Sequence, residues 1–98
     1  MPQLITVLMA RIKLQKRHSV EFDRLAANQL LVLKLIREET AQKLIDCCED
    51  KRACIDLTRQ QSARRVDLMA RHQEERARMQ GRHRREAALL EESLGRPQ

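Results

Sequence analysis

The amino-acid sequence predicts an all-α protein built from long amphipathic helices, and three observations support this fold class. Only two glycines and two prolines interrupt the 98 residues. The strong helix formers Glu, Gln, Arg, Leu and Ala are abundant. Apolar residues recur at three- and four-residue spacing, which places them along one side of a helix.

Residues typical of the start and the end of a helix lie near the two ends of the chain. Pro2 suits the first turn of a helix, and Gly95 followed by Pro97 is a typical stop signal. The whole chain is therefore predicted to form one helical unit. Within it we expect an apolar first helix over residues 3–47 and an arginine-rich second helix, with an eleven-residue repeat, over residues 54–94.

The segment between the two helices leaves two architectures open. Residues 47–54 read CCEDKRAC, a polar stretch without glycine or proline, and Asp56 or Thr58 could cap a second helix. A turn near residues 48–53 would give a coiled-coil-like helical hairpin. An unbroken helix would instead run for about 140 Å. The hairpin is favoured for a chain alone in water, because it lets the apolar first half cover itself.

The first half carries the most apolar segment of the sequence. Residues 22–36 combine a stripe at helical spacing with further apolar residues on other faces. A helix that is apolar on most sides is buried on several sides. The residues predicted to bind helices of a partner here are Phe22, Leu25, Val32, Leu33 and Ile36.

The second half follows an eleven-residue period. Leu57, Leu68, Met79 and Leu90 recur at this spacing. Eleven residues correspond to three helical turns, so these side chains form a nearly straight stripe. We expect this stripe to contact a neighbouring protein.

Positive charge is concentrated in the second half. The net charge is +6, and residues 59–85 contain nine arginines but only three acidic residues. Arginine can pack its stem on a protein surface and still pair with carboxylates, which favours an acidic protein surface as the partner. A solvated face, a nucleic acid and an anionic membrane are the alternatives; Phe22 is the only aromatic residue, so base stacking has little support. The arginines predicted to bind are Arg64, Arg65, Arg71 and Arg82.

The sequence contains no recognisable catalytic, cofactor or metal motif. Three cysteines form no disulfide framework and indicate a reducing compartment. On an unbroken helix Cys47 and Cys54 would lie about 10 Å apart, too far to share a metal, so we expect them to pack as small hydrophobes. The histidines are expected to be solvated or to lie at an interface, and no enzymatic activity is expected.

Together these patterns predict a non-enzymatic structural or accessory subunit of a larger protein assembly. A basic helical protein that binds RNA or DNA is the alternative, and homo-oligomers are also compatible with the sequence. No apolar run is long enough to cross a membrane. We expect a cytoplasmic or cytoskeletal protein. The basic segment of residues 1–20, which lacks acidic residues, makes a mitochondrial location the alternative.

Overall fold

Two long α-helices make up the computed structural model, which describes residues 3–96. Helix α1 is Leu4–Asp46 and helix α2 is Lys51–Gly95, with no strand in that described range. The all-α hairpin prediction is confirmed, and the chain does not adopt the single extended helix. The predicted end signals Pro2 and Pro97 lie outside the described residues.

The turn between the helices is organised by Asp50. Its N–H donates to the Cys47 carbonyl at 2.9 Å, and its own carbonyl accepts the Cys54 N–H at 3.0 Å. The Asp50 side-chain Oδ1 also accepts the Ala53 N–H at 3.1 Å. Asp50 is therefore the N-cap of α2, since its side chain satisfies a backbone donor that the first helical turn leaves unpaired.

The prediction that Asp56 or Thr58 caps the second helix is wrong, because α2 already begins at Lys51. Thr58 instead lies inside the helix, where its hydroxyl donates to the Cys54 carbonyl at 2.8 Å. No described residue has a positive φ. The turn therefore needs neither glycine nor proline, which explains why the sequence gives no sharp signal for it.

The described residues contain no buried hydrophobic side chain. Gln29 is the one buried residue among them, at 3% exposure. Two helices alone can shield only the sides that face each other, so the apolar residues of the helix–helix interface are half-buried. The hairpin thus has an interface but no closed core.

Internal contacts divide the hairpin into two units. The terminal unit consists of Met1–Leu25 and Glu75–Gln98, and the turn unit consists of Ala26–Glu74. Each unit contains a segment of α1 and a segment of α2.

An eleven-residue spacing governs the half-buried positions of both helices. On α1 two such series are Val7, His18, Gln29, Thr40 and Leu14, Leu25, Ile36, and the second continues to Cys47, the first residue after the helix. On α2 the corresponding series are Leu57, Leu68, Met79, Leu90 and Gln61, His72, His83, Leu94. Because eleven residues complete three helical turns, each series stays on one side of its helix.

Candidate functional site

Helix α1 and helix α2 each contain the sequence pattern R-H-x-x-E in the terminal unit. The pattern occupies residues 17–21 on α1 and residues 82–86 on α2. Its histidine and glutamate are three residues apart, so they are neighbours on one helical face. The six charged or titratable side chains form what we call the histidine cluster: Arg17, His18, Glu21, Arg82, His83 and Glu86.

The two histidines of the cluster stack on each other across the helix–helix interface. Their ring centroids are 3.7 Å apart and their planes are inclined by 10°. His18 Nε2 lies 3.2 Å from Glu86 Oε2, and His83 Nε2 lies 3.2 Å from Glu21 Oε2. The histidine of each motif therefore contacts the glutamate of the other motif, so the same contact occurs twice across the interface.

The two arginines of the cluster likewise contact the glutamate of the opposite helix, at the edge of the interface. Arg17 Nη2 donates to Glu86 Oε2 at 2.8 Å, and Arg82 forms an ion pair with Glu21. The histidine side chains are only 15% and 14% exposed, whereas the arginines are about half exposed or more. The half-buried rings are thus enclosed by exposed charge pairs.

Both glutamates of the cluster bind donors from the opposite helix, and this lowers their pKa values. The hydrogen bond from His83, followed by the charge of Arg82, lowers the pKa of Glu21, while partial burial opposes the shift. The hydrogen bond from His18, followed by Arg17, lowers the pKa of Glu86. Both carboxylates are therefore ionised acceptors at neutral pH, and this arrangement holds two helices together instead of supplying a proton donor.

A further ion pair reinforces the terminal unit near the helix ends. Arg11 binds Glu91 through two parallel contacts, Nε to Oε1 and Nη2 to Oε2, both at 2.7 Å. This two-point geometry is the favourable one for arginine and carboxylate. Its hydrogen bonds lower the pKa of Glu91.

Uncharged groups occupy the equivalent positions in the turn unit. The Gln29 amide donates to the His72 carbonyl at 3.0 Å. The Thr40 hydroxyl lies 2.8 Å from the Ile36 carbonyl and 3.1 Å from Gln61 Oε1. A third R-H-x-x-E pattern at residues 71–75 therefore faces an amide here, and no reciprocal motif stands opposite it.

The polar pairs follow one another at a constant step. Gln29 pairs with His72, and eleven residues later on α1 Thr40 pairs with Gln61, eleven residues earlier on α2. The same step in sequence leads from the Gln29 pair to the stacked pair His18 and His83 of the terminal unit. Sequence reasoning identified this period on α2 alone and missed His18 and Glu21. The repeated R-H-x-x-E pattern was the signal that could have revealed them.

Most of the apolar residues predicted to bind a partner lie half-buried in the isolated hairpin. These are Leu25, Leu33, Ile36, Leu57, Leu68, Met79 and Leu90. Leu68 and Met79 precede His72 and His83 by four residues, so they share the face that contacts α1. Phe22 and Val32 are exposed. The partner-binding role of all these residues stays a prediction.

The four arginines predicted to bind a partner divide into two pairs. All four are exposed. Arg82 contacts Glu21, and Arg64 lies 3.5 Å from Glu39, so these two already interact inside the hairpin. Arg65 and Arg71 form no ion pair with another residue of the described range.

A second surface of interest is apolar and lies on the outside of α1. In the terminal unit it consists of Leu4, Ile5, Leu8, Met9 and Ile12, and in the turn unit of Leu30, Leu31, Leu35 and Ile45. These side chains are exposed, Leu30 by 66% and Ile45 by 64%. We call the two groups the outer faces of α1 in their respective units.

The cysteines lie at the turn and not on one helix. Cys47 Sγ and Cys54 Sγ are 3.2 Å apart, which corrects the separation of about 10 Å expected on an unbroken helix. The Cys54 thiol also lies 2.9 Å from the Cys47 carbonyl. The hydrogen bond to Cys47, together with burial, raises the pKa of Cys54 to about 11. Cys48 is exposed.

Comparison with protein-family models, with curated proteins and with solved structures found no match. Neither α1 nor α2, within residues 3–96, is long and apolar enough to span a membrane. Within the same residues, no cluster of three or more His, Cys, Asp or Glu side chains is arranged to hold a metal ion.

Proposed function

We propose that this chain is a non-enzymatic structural or accessory subunit of a larger protein assembly, which it joins through the outer faces of α1. The observation that carries the proposal is that the described residues bury no hydrophobic side chain while α1 exposes many large ones. Contiguous exposed apolar surface in a soluble chain commonly marks a site of protein interaction. A partner helix would cover leucines and isoleucines that the hairpin leaves in water.

The charges beside the outer face of the terminal unit indicate the chemistry of the partner. Lys13 and Lys16 accompany the apolar residues of this segment, and residues 1–20 contain no acidic side chain. Arg11 and Arg17 already pair with Glu91 and Glu86 inside the hairpin. A complementary surface would be an amphipathic helix with an apolar stripe flanked by Asp or Glu. The acidic protein surface expected from the sequence would therefore contact α1 as well as α2.

Nucleic-acid binding is the second candidate, and the exposed arginines of α2 are the observation that favours it. Arg59, Arg65, Arg71, Arg84 and Arg85 are exposed and form no ion pair within the described range. Their spacing distributes them around α2, because residues one, six and thirteen apart point in different directions on a helix. A single track along a phosphate backbone is therefore less well supported than an apolar protein contact.

The test is an affinity purification of the tagged full-length chain, with and without nuclease, in three versions. The wild type is compared with the double variant Leu31→Asp/Leu35→Asp, which changes the outer face of the turn unit. The control is Val66→Asp, which places one aspartate at an exposed apolar position of α2. Circular dichroism checks that all three versions remain helical.

We expect a set of co-purifying proteins that survives nuclease, persists with Val66→Asp and is reduced at least tenfold with the double variant. Equal capture by both variants would contradict binding through the outer face of the turn unit. A set that disappears on nuclease treatment would support the nucleic-acid alternative instead.

A further inference from the structure

The two half-buried cysteines meet across the hairpin turn. Cys47 is the first residue after α1, and Cys54 lies in the first turn of α2. Their sulfur atoms are 3.2 Å apart, so an approach of about 1 Å would bring them to the length of a disulfide bond. The Asp50 cap holds this geometry, because it fixes the direction in which α2 leaves the turn.

We propose that Cys47 and Cys54 are a redox site, at which an intramolecular disulfide forms and fixes the chain in its hairpin form. The proposal concerns the turn alone and does not depend on the proposed partner. It departs from the sequence-based expectation that the cysteines only pack.

The bond would be compatible with the hairpin and incompatible with a straight helix. Residues seven apart on a continuous helix have Cα atoms about 10 Å apart, whereas a disulfide needs about 7 Å or less. The turn itself contains no glycine, no proline and no positive φ, so its residues can all adopt helical geometry. Oxidation therefore excludes the extended form that the sequence of the turn otherwise permits.

The reaction is a thiol–disulfide exchange with a small-molecule disulfide such as glutathione disulfide. The Cys47 thiolate attacks one sulfur of that molecule, forms a mixed disulfide and releases one thiolate. Cys54 then loses its proton to solvent, attacks the Cys47 sulfur and releases the second thiolate. Two protein thiols are oxidised to one disulfide, and the small molecule is reduced to two thiols.

The raised pKa of Cys54, about 11, keeps its thiol protonated in the reduced hairpin, so Cys54 is not the thiol that attacks first. Because only thiolates attack, we expect oxidation to accelerate as the pH rises from 7 to 9.

The experiment uses the full chain with Cys48→Ser, which removes the exposed third thiol and leaves the pair intact. The reduced protein is incubated with glutathione disulfide at pH 8.5, and free thiols are counted with a chromogenic reagent. We expect two thiols to fall to none, a mass decrease of two hydrogens, and a monomer on a non-reducing gel. After trypsin, which cleaves at Lys51 and Arg52, residues 44–51 and residues 53–59 should remain linked until a reductant is added.

The control variant is Cys48→Ser with Cys54→Ser, which retains a single thiol. It should gain one glutathione and give no linked peptides. The oxidised pair should raise the melting temperature on the order of 10 °C, because it closes a short loop of the unfolded chain, and the control should show no such rise.

The proposal is overturned if the Cys48→Ser protein retains two thiols after exposure to the disulfide. It is also overturned if both cysteines carry glutathione, or if the linked peptides come from a covalent dimer.

Discussion

The terminal unit and the turn unit use the same spacing with different chemistry. In the terminal unit the interface contains two stacked histidines, each bound to a carboxylate of the other helix. In the turn unit the corresponding positions contain an amide, a hydroxyl and a backbone carbonyl. The eleven-residue period therefore sets which residues face each other, while the identity of those residues determines whether the contact is charged or neutral.

The largest expected effect concerns the interface of the turn unit. Ile36 is half-buried there, whereas the adjacent Leu35 is 54% exposed on the outer face. Ile36→Asp places a charge against α2 and removes apolar contact, so we expect a loss of about 2 kcal/mol or more in the free energy of unfolding. Leu35→Asp should change it by about 0.5 kcal/mol or less, since surface substitutions are usually tolerated.

Urea denaturation followed by circular dichroism measures both variants. Equal losses of unfolding free energy for the two substitutions would contradict the assignment of Ile36 to the interface and of Leu35 to the outer face of α1. These two variants also separate an effect on folding from an effect on partner binding, because Leu35→Asp should leave the hairpin intact.

The sequence was sufficient to predict the fold class, because so few residues in it can end a helix. It also favoured the hairpin over the straight helix on the physical ground that apolar residues avoid water. The α2 stripe was recognisable because Leu57, Leu68, Met79 and Leu90 are chemically alike. The α1 series of Val7, His18, Gln29 and Thr40 has the same period, but four unlike side chains conceal it.

A smaller effect is expected from acid, and it should distinguish the two units. Glu21, Glu86 and Glu91 of the terminal unit all have lowered pKa values, whereas Glu39 is the turn-unit residue with a resolved lowering, caused by Lys43 and then Arg64. A carboxylate whose folded pKa lies below its ordinary value of 4.5 stabilises the fold fully above that value. This stabilisation is lost as the pH falls from 4.5 through the folded pKa.

Hydrogen–deuterium exchange, corrected for its intrinsic pH dependence, measures this difference residue by residue. Between pH 6 and pH 3 we expect protection to fall more in residues 4–25 and 75–95 than in residues 26–74. The double variant Glu21→Gln/Glu86→Gln should be less protected at pH 6 and should lose part of the pH dependence, while Glu91 retains its share. An equal fall in both units, unchanged in the double variant, would contradict the role assigned to the histidine cluster.

The parts of the site that sequence reasoning missed all depend on contacts that the hairpin turn creates. His18 and His83 are far apart along the chain, and only the register of the hairpin brings their rings together. The distance expected between Cys47 and Cys54 assumed one unbroken helix, whereas a turn lies between the two residues and brings their sulfur atoms together. Register depends on the length and capping of the turn, and the Asp50 cap has no glutamate or glutamine three residues later to complete a recognisable capping box.

The central claim is that the two helices pair within one chain in the register given by the eleven-residue period. The most direct test is an isotope-filtered nuclear Overhauser experiment on a mixture of labelled and unlabelled chains. We predict contacts between the His18 and His83 rings, and between Thr40 and Gln61, that appear only within a single chain. Contacts that arise between chains, or a histidine pairing of His18 with His72, would contradict the account.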